Sequence, residues 1–560
     1  MRGLTVTTDA KTPTALNQGA STRDFYNLNE FNAWTASGAN AGFRVKYYKG
    51  LGTWTQADAK ALLVATPSIK LVDDDDADES MALAFDKKKA DDRKQWILNS
   101  VAAPPVPDYT KDMSISAFVN EDLVNFSRYD TERSLPSMLD GLKTSQRKIL
   151  FTVLKRNYIG VSREVKVAQL SGAVAELTLY LHGEQSLNDA IVGMAQDFMG
   201  SNNLPLLFPD GAFGTRLGTR LGAGKDAASP RYIYTYAHEV TRLMFRADDD
   251  ALLPLKKEEG FEVEPAAYWP VVPLLLINGS AGIGTGFSTS VPMFSPKDVK
   301  KNVLCFLDGE YMNNMTPHFV GFNGDVVEVG SGKWVARGVA KRDDENPRRV
   351  RITELPPCWS FNKYEGWLGE DKSPVTLVHN KSSDVAPDFL VEYKSGEAPD
   401  DLDKMLKELK LLDSISSSNM YAFDENGALK KYVSAEALMF DWCAWRLVKY
   451  EVRRAHLVAT LEQRALVARN KARFCKAVAT QKLVLGSMEE SALCALLHSK
   501  DFKEVDGNFD YLLNMHARSF TTDRAAALQA SAEAAEAEAQ RMRATTAQAL
   551  WREDLARLAF

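Results

Sequence analysis

The sequence predicts a multidomain α/β chain, mostly α, and three observations lead there. Its 560 residues exceed what one hydrophobic core organises, so several domains are expected. Apolar residues recur at helical spacing from Ile115 to about Asp197, and again in two long stretches near the C-terminus. Between them, Phe319 to Ile352 alternates and is rich in valine, which favours strands in a small α/β domain.

Taken in order, residues 1 to about 25 are polar and read as an irregular lead-in. Arg44 to Tyr48 reads as a buried strand that turns at Gly50 and Gly52, and Thr55 caps a helix through Leu63. Asp73-Asp-Asp-Asp-Ala-Asp-Glu79 is expected as a solvated loop, and Asp86 to Asn99 as an amphipathic helix. The Pro-rich stretch Ala102 to Pro107 marks a domain boundary. Ile115 to Asp197 suits a compact helical, winged-helix-like module. Ser201 to Leu221 is glycine-rich loop, and Tyr268 to Pro292 mixes short apolar runs with glycine turns. Ser434 to about Ala477 has no Gly or Pro and carries an apolar stripe of Leu438, Trp442, Trp445, Val448, Val452, Leu461 and Leu466. Ala525 to Ala547 is a second long helix, and Leu550-Trp551 begins the final turns. Two such helices around Phe474 to Phe520 make an antiparallel arm with a tip, or an ordinary hairpin packed on its own domain.

Composition narrows the function classes. An apolar share of 45% is ordinary for a globular protein, and no apolar run reaches the ~20 residues that span a bilayer. Cys305, Cys358, Cys443, Cys475 and Cys494 are scattered without a C-x-x-C pair, so they read as reduced intracellular thiols. The net charge of -6 hides a basic segment. Between Gly141 and Leu170 stand Lys143, Arg147, Lys148, Lys155, Arg156, Arg163 and Lys166, against the single carboxylate Glu164. Phosphate contacts are local, so a basic face on an acidic chain is compatible with nucleic acid.

The stretch Gly211-Ala-Phe-Gly-Thr-Arg216 to Gly224-Lys-Asp-Ala-Ala-Ser-Pro-Arg-Tyr-Ile-Tyr-Thr235 sets Tyr232 directly behind Arg231 in a loop rich in glycine and cations. A phenol with an ordinary pKa near ~10 is a poor nucleophile at neutral pH. Beside a guanidinium, and aimed at a phosphodiester held by other cations, it becomes a competent one. Further segments accompany it: Asp130-Thr-Glu-Arg-Ser-Leu-Pro136, Asp140-Gly-Leu-Lys-Thr-Ser-Gln-Arg-Lys148, Val165-Lys-Val-Ala-Gln-Leu-Ser-Gly172 and His182-Gly-Glu-Gln-Ser-Leu187. Ile277-Asn-Gly-Ser-Ala-Gly-Ile-Gly-Thr-Gly-Phe-Ser288 and Ile352-Thr-Glu-Leu-Pro356 follow. In this order and spacing the set resembles the breakage–reunion region of eukaryotic-type, including viral, type IIA DNA topoisomerases. Lys46-Tyr-Tyr-Lys-Gly-Leu-Gly-Thr53 is similar to the segment that closes their TOPRIM metal-binding domain.

The resemblance implies the end of TOPRIM plus a connector over residues 1–100 and a winged-helix DNA-cleavage domain over 101–290. It implies an α/β tower or shoulder over 291–433 and a long antiparallel coiled-coil arm with a C-gate over 434–560. Tyr232 would attack a backbone phosphorus to give a 5′-phosphotyrosine. Arg231 would stabilise the phosphorane, and His182 would contact the scissile phosphate. Arg133, Lys143, Arg147, Lys148, Lys225 and Lys49 would position the DNA backbone without reading sequence. Ile283 would wedge between base pairs from a loop whose flanking Gly282 and Gly284 let the backbone approach the minor groove. The copies Gly214-Thr-Arg-Leu217 and Gly218-Thr-Arg-Leu221 depart from the family's single unit, which leaves open whether Arg216 or Arg220 faces DNA. The resemblance also implies Mg2+ and ATP, double-stranded DNA, a homodimer, and a nuclear setting, with a viral factory or organelle as the alternative. Neither the Glu-Gly-Asp-Ser nor the Asp-x-Asp-x-Asp-Gly pattern that holds that metal precedes Lys49, so no metal ligand is assigned to this chain. Metal and ATP are expected from an ATPase/TOPRIM segment of the same or a partner polypeptide, the chain being a fragment or one product of a split gene. The alternative function is a DNA-binding dimerisation module that does not cleave.

Overall fold

The computed structural model describes residues 3–8, 22–25, 28–39, 41, 43–48, 55–64, 68–102, 111–258, 260–483 and 489–560. Lys49, Gly50, Gly52 and the stretch 103–107 of the expected connector lie outside them.

The first 25 residues are not merely an irregular lead-in. Gly3–Thr8 is the central strand of a three-stranded antiparallel sheet, flanked by Thr22–Phe25 and Phe43–Tyr48. Leu4 pairs with both Phe25 and Tyr47, and the run Leu4-Thr-Val-Thr-Thr8 is rich in β-branched residues suited to a pleated strand. Phe25, Phe31 and Trp34 form a small core beside it. After the helix Gln56–Val64, the short strand Leu71–Val72 runs parallel to Met113–Ser114. The acidic run is tied to that junction rather than loose. Asp74 accepts from the Ser116 amide at 3.3 Å and from its hydroxyl, which holds the carboxyl below its usual range. The run also supplies the first turn of the helix Ala77–Phe85, where Asp78 and Glu79 favour the positive end of the helix dipole.

The central part packs four helices, Val124–Ser134, Thr144–Lys155, Val167–Thr178 and Glu184–Ala195, with a three-stranded antiparallel sheet. Tyr234–Ala237 is its middle strand, between Val165–Lys166 and Leu207–Asp210. Ile149, Leu150, Val153, Val167, Val174 and Ile191 are buried in a cluster that continues through Val271 to Ile277 and on to Trp442 and Trp551. The valine-rich region forms a three-stranded sheet and a four-stranded one, ordered Val339–Arg342, Arg349–Glu354, Phe389–Tyr393, Val375–Asn380. The helices Phe361–Leu368 and Leu402–Glu408 share a second core with it.

Ser434 caps the long helix Ala435–Ala479 by accepting from the Ala437 amide at 3.1 Å. Thr522–Ala544 runs antiparallel to it: Glu462 pairs with Arg543, while Arg469, seven residues further on, pairs with Glu536, seven residues back. Phe474, Leu497, Phe502, Phe509 and Leu512 build a separate core between the two helices. The last helix, Ala547–Arg557, returns to the central part, where Trp551 Nε1 donates to the Val271 carbonyl at 2.9 Å. The apolar stripe of the long helix needs one correction. Val448 and Val452 are exposed, while Arg446, Tyr450 and Arg453 are buried at that level. The inward face there meets Asp249 and Asp554, and ion pairing takes the place of apolar packing.

Candidate nucleic-acid interface

The Tyr232 loop is held by its backbone while its side chains are free to face outward. The Tyr232 amide donates to the Ser229 carbonyl at 2.9 Å. The Pro230 and Ile233 carbonyls each accept at 3.1 Å, from the Ala168 and Val167 amides. Those donors belong to the first turn of the Val167–Thr178 helix, which has no partners for them within itself. Ile233 is buried, so the loop is pinned on both sides of a Tyr232 that is 71% exposed. Arg231 is exposed too, its guanidinium 5.7 Å from the Tyr232 ring.

The neighbouring tyrosines are placed differently. Tyr234 lies half-buried in the middle strand beneath the Lys166 ammonium. Tyr236 stacks on Phe208 at 4.9 Å, and its phenol is pushed up by desolvation and by Asp210 and Glu164. A phenol harder to ionise is a worse nucleophile. Upstream, Asp226 closes the glycine loop by accepting from the Thr215 amide at 2.9 Å and its hydroxyl at 2.6 Å. Gly214 has φ +94°, and a Cβ there would lie 2.6 Å from the Gly224 carbonyl oxygen, so only glycine fits.

The second group of residues gathers on the Val124–Ser134 helix. His182 is half-buried, its Nε2 2.6 Å from the Tyr129 hydroxyl, with the Tyr180 ring edge-on at 5.4 Å. The next residue on the helix, Asp130, accepts from the Thr285 amide at 2.8 Å and hydroxyl at 2.9 Å. It thereby anchors the hairpin Ser280–Gly284/Phe287–Val291. Ile283, at the end of that hairpin, is 85% exposed. The glycines beside it serve contact with protein: a Cβ on Gly282 would lie 2.2 Å from the Ser134 carbonyl oxygen, and one on Gly284 3.0 Å from the Thr131 Cα. They let the hairpin press on the helix and leave Ile283 facing away. Lys143 Nζ donates to the Ala281 carbonyl at 2.7 Å, and burial pushes its pKa down. Arg133 stands half-buried on the last turn of the same helix, and Lys225 is exposed.

The structure places two of the expected DNA contacts inside the fold instead. Arg147 is buried and bidentate to Asp140, at 2.7 and 2.9 Å, and it also donates to the Leu142 carbonyl at 3.0 Å. Lys148 is equally buried, donating to Glu264 at 2.7 Å and to the Thr178 carbonyl at 2.8 Å. Both spend their charge on partners inside the fold. The two copies of the duplicated unit are placed differently. Arg216 is buried against Glu354 at 2.6 Å and lies 5.1 Å from the Phe361 ring centroid, whereas Arg220 is exposed. Lys49 lies outside the described residues. Sequence reasoning missed Tyr129, Asp130, Asp140 and Glu354. Three of these sit inside the quoted motifs, but their pairing across the fold has no local sequence signal.

Comparison with known proteins follows the same geometry. Residues 133–556 match the family model for DNA gyrase/topoisomerase IV, and residues 9–131 match that for the C-terminal associated domain of TOPRIM. The chain is 38% identical over 494 residues to DNA topoisomerase 2 of Arabidopsis thaliana, covering 85% of the chain and 33% of that relative. It is 34% identical over 592 residues to human DNA topoisomerase 2-beta, covering 95% of the chain and 36% of the relative. The structure superposes on the Plasmodium falciparum topoisomerase II DNA-binding, cleavage and re-ligation domain with a TM-score of 0.79 and 32% identity, covering 99% of the chain and 78% of that one. The chain spans about a third of the length of the curated relatives it matches. It belongs to the DNA topoisomerase II family and corresponds to the breakage–reunion region of those enzymes.

Proposed function

We propose that this chain is the DNA-cleaving core of an ATP-dependent type II topoisomerase, with Tyr232 as its nucleophile. The exposed Tyr232, on a backbone-clamped turn beside Arg231, is the observation that carries the reading. Its phenolic oxygen forms a bond to a backbone phosphorus as the bond from phosphorus to the 3′ oxygen breaks. The proton lost by the phenol balances the one gained by the leaving 3′ hydroxyl. One phosphodiester replaces another, so the step reverses readily. Arg231 spreads a planar, permanent charge over the congested phosphate, a task for which a lysine is less suited. His182 contacts the scissile phosphate, while Arg133, Lys143, Lys225 and the exposed Arg220 hold backbone phosphates. Ile283 enters the minor groove and unstacks a step, at a cost of a few kcal/mol that the bent duplex offsets with wider contact.

The helices 144–155 and 167–178 with the sheet around Tyr234 act as the winged-helix unit, residues 291–433 as the tower, and the paired long helices as the arm bearing a dimer gate. Two copies around a two-fold axis cut one strand each, and a second duplex passes between them. Enzymes of this type use Mg2+ and ATP. Among the described residues no three His, Cys, Asp or Glu side chains come close enough to hold a metal. Metal and nucleotide are assigned instead to an ATPase/TOPRIM segment, and the setting is the nucleus.

The test is relaxation of supercoiled DNA. With ATP alone the chain is expected to bind and bend DNA without relaxing it. A metal-binding and ATPase segment supplied in trans restores relaxation, and Tyr232→Phe abolishes it while DNA binding persists. Relaxation by the unsupplemented chain, or by the phenylalanine variant, contradicts the reading.

A further inference from the structure

We propose that Tyr129 is a positioning residue for His182, setting the imidazole's orientation and tautomer for the scissile phosphate; this rests on the function proposed above. The two residues come from different elements, Tyr129 from the Val124–Ser134 helix and His182 from the turn after the Val167–Thr178 helix. Their contact, Oη to Nε2 at 2.6 Å, is short even for a hydrogen bond between a hydroxyl and a ring nitrogen. The rings are tilted 33° to one another, and Tyr180 meets the imidazole edge-on from another direction. A histidine ring has two distinct nitrogens, and the group that engages one decides which role the other takes. The phenol holds Nε2, and with it the plane in which the imidazole faces the site.

The placement also joins two parts of the DNA surface. Tyr129 and Asp130 are consecutive on one helix: the first holds His182, the second the Thr285 end of the Ile283 hairpin. A duplex bent onto Ile283 therefore loads the same helical turn that sets the imidazole. Tyr129 is 42% exposed, so the contact lies at the surface, where DNA can tighten it, rather than in the core.

The experiment combines a double-mutant cycle with imidazole spectroscopy. Single-turnover adduct formation is measured with the metal-bearing segment present, for Tyr129→Phe, His182→Ala and the double variant, alongside DNA affinity. Tyr129→Phe is expected to slow adduct formation about tenfold, the scale found when a group that orients a functional histidine is removed, with DNA affinity unchanged. The double variant should be no slower than His182→Ala. In the chain labelled with 15N-histidine, Tyr129→Phe should shift the His182 ring nitrogens toward an exchanging tautomer mixture. Multiplying effects, a loss confined to DNA affinity, or unchanged ring shifts would each overturn the proposal. If His182→Ala itself cleaves at the parental rate, the functional reading of that histidine falls, and the ring shifts still decide whether Tyr129 orients it.

Discussion

A side chain's chemistry here is set by what its backbone is tied to. Tyr232, Tyr234 and Tyr236 alternate along five residues, yet only Tyr232 sits in a turn whose flanking carbonyls are anchored to a helix start. Tyr236 is stacked on Phe208, and desolvation with nearby carboxylates raises its phenol, which favours Tyr232 over it. Lys143 gives a pH signature. Burial lowers its pKa in the free protein, and a phosphate contact would raise it again. Binding therefore takes up a proton in the window between those two values, and affinity falls as pH rises through it. Calorimetry of DNA binding in alkaline buffers of different ionisation heats should show proton uptake that Lys143→Arg removes. Uptake undiminished in the arginine variant would place the effect elsewhere. At this scale motif order singled out Tyr232, Arg231, His182 and Ile283, and the structure leaves Tyr232, Arg231 and Ile283 exposed and His182 half-buried. Motif order could not separate Lys143 from Arg147 and Lys148. Cations look alike in a string, and the carboxylate that consumes Lys148 lies 116 residues away.

Among the elements, the hairpin bearing Ile283 and the Val124–Ser134 helix work as a pair. The glycine pattern pointed to a close approach, and the surface that approaches these glycines is the helix. Gly282→Ala puts a methyl group 2.2 Å from the Ser134 carbonyl oxygen. It should destabilise the fold by about 1–3 kcal/mol, the usual cost of overpacking a tight contact, and reduce DNA bending. Urea unfolding together with end-to-end fluorescence transfer on a labelled duplex checks both effects. Bending and stability both unchanged would mean that the hairpin does not bear on the helix. The duplicated Gly-Thr-Arg-Leu was visible as a repeat. Which copy is buried depends on Glu354 and Phe361 of the α/β region, more than 130 residues downstream. The two N-terminal strands escaped notice because each is short and the Leu4/Val6 alternation spans too few residues to stand out in a largely polar stretch.

At the level of the whole molecule, the long helix is locked to the cleavage region by buried charge. Asp249 accepts from Arg446 at 2.8 Å and from Arg453 Nε at 2.7 Å, and Arg453 also pairs with Asp554 of the last helix. Tyr450 lies between the guanidiniums, 4.0 and 4.4 Å from them. Three segments far apart in sequence meet in this network, and none of them announced it. Removing one partner of a buried ion pair strands the others, so Asp249→Ala should cost about 3–5 kcal/mol in chemical denaturation. A loss below about 1 kcal/mol would mean the pairing there is solvated like a surface bridge. The proposed reaction leaves a product that can be located directly. The protein–DNA adduct trapped by denaturant from the chain with its metal-bearing partner segment is digested and its peptides mapped. Our account predicts a single 5′-phosphoryl linkage on Tyr232. A linkage on Tyr234, Tyr236 or any other side chain, or no covalent adduct at all, would contradict it.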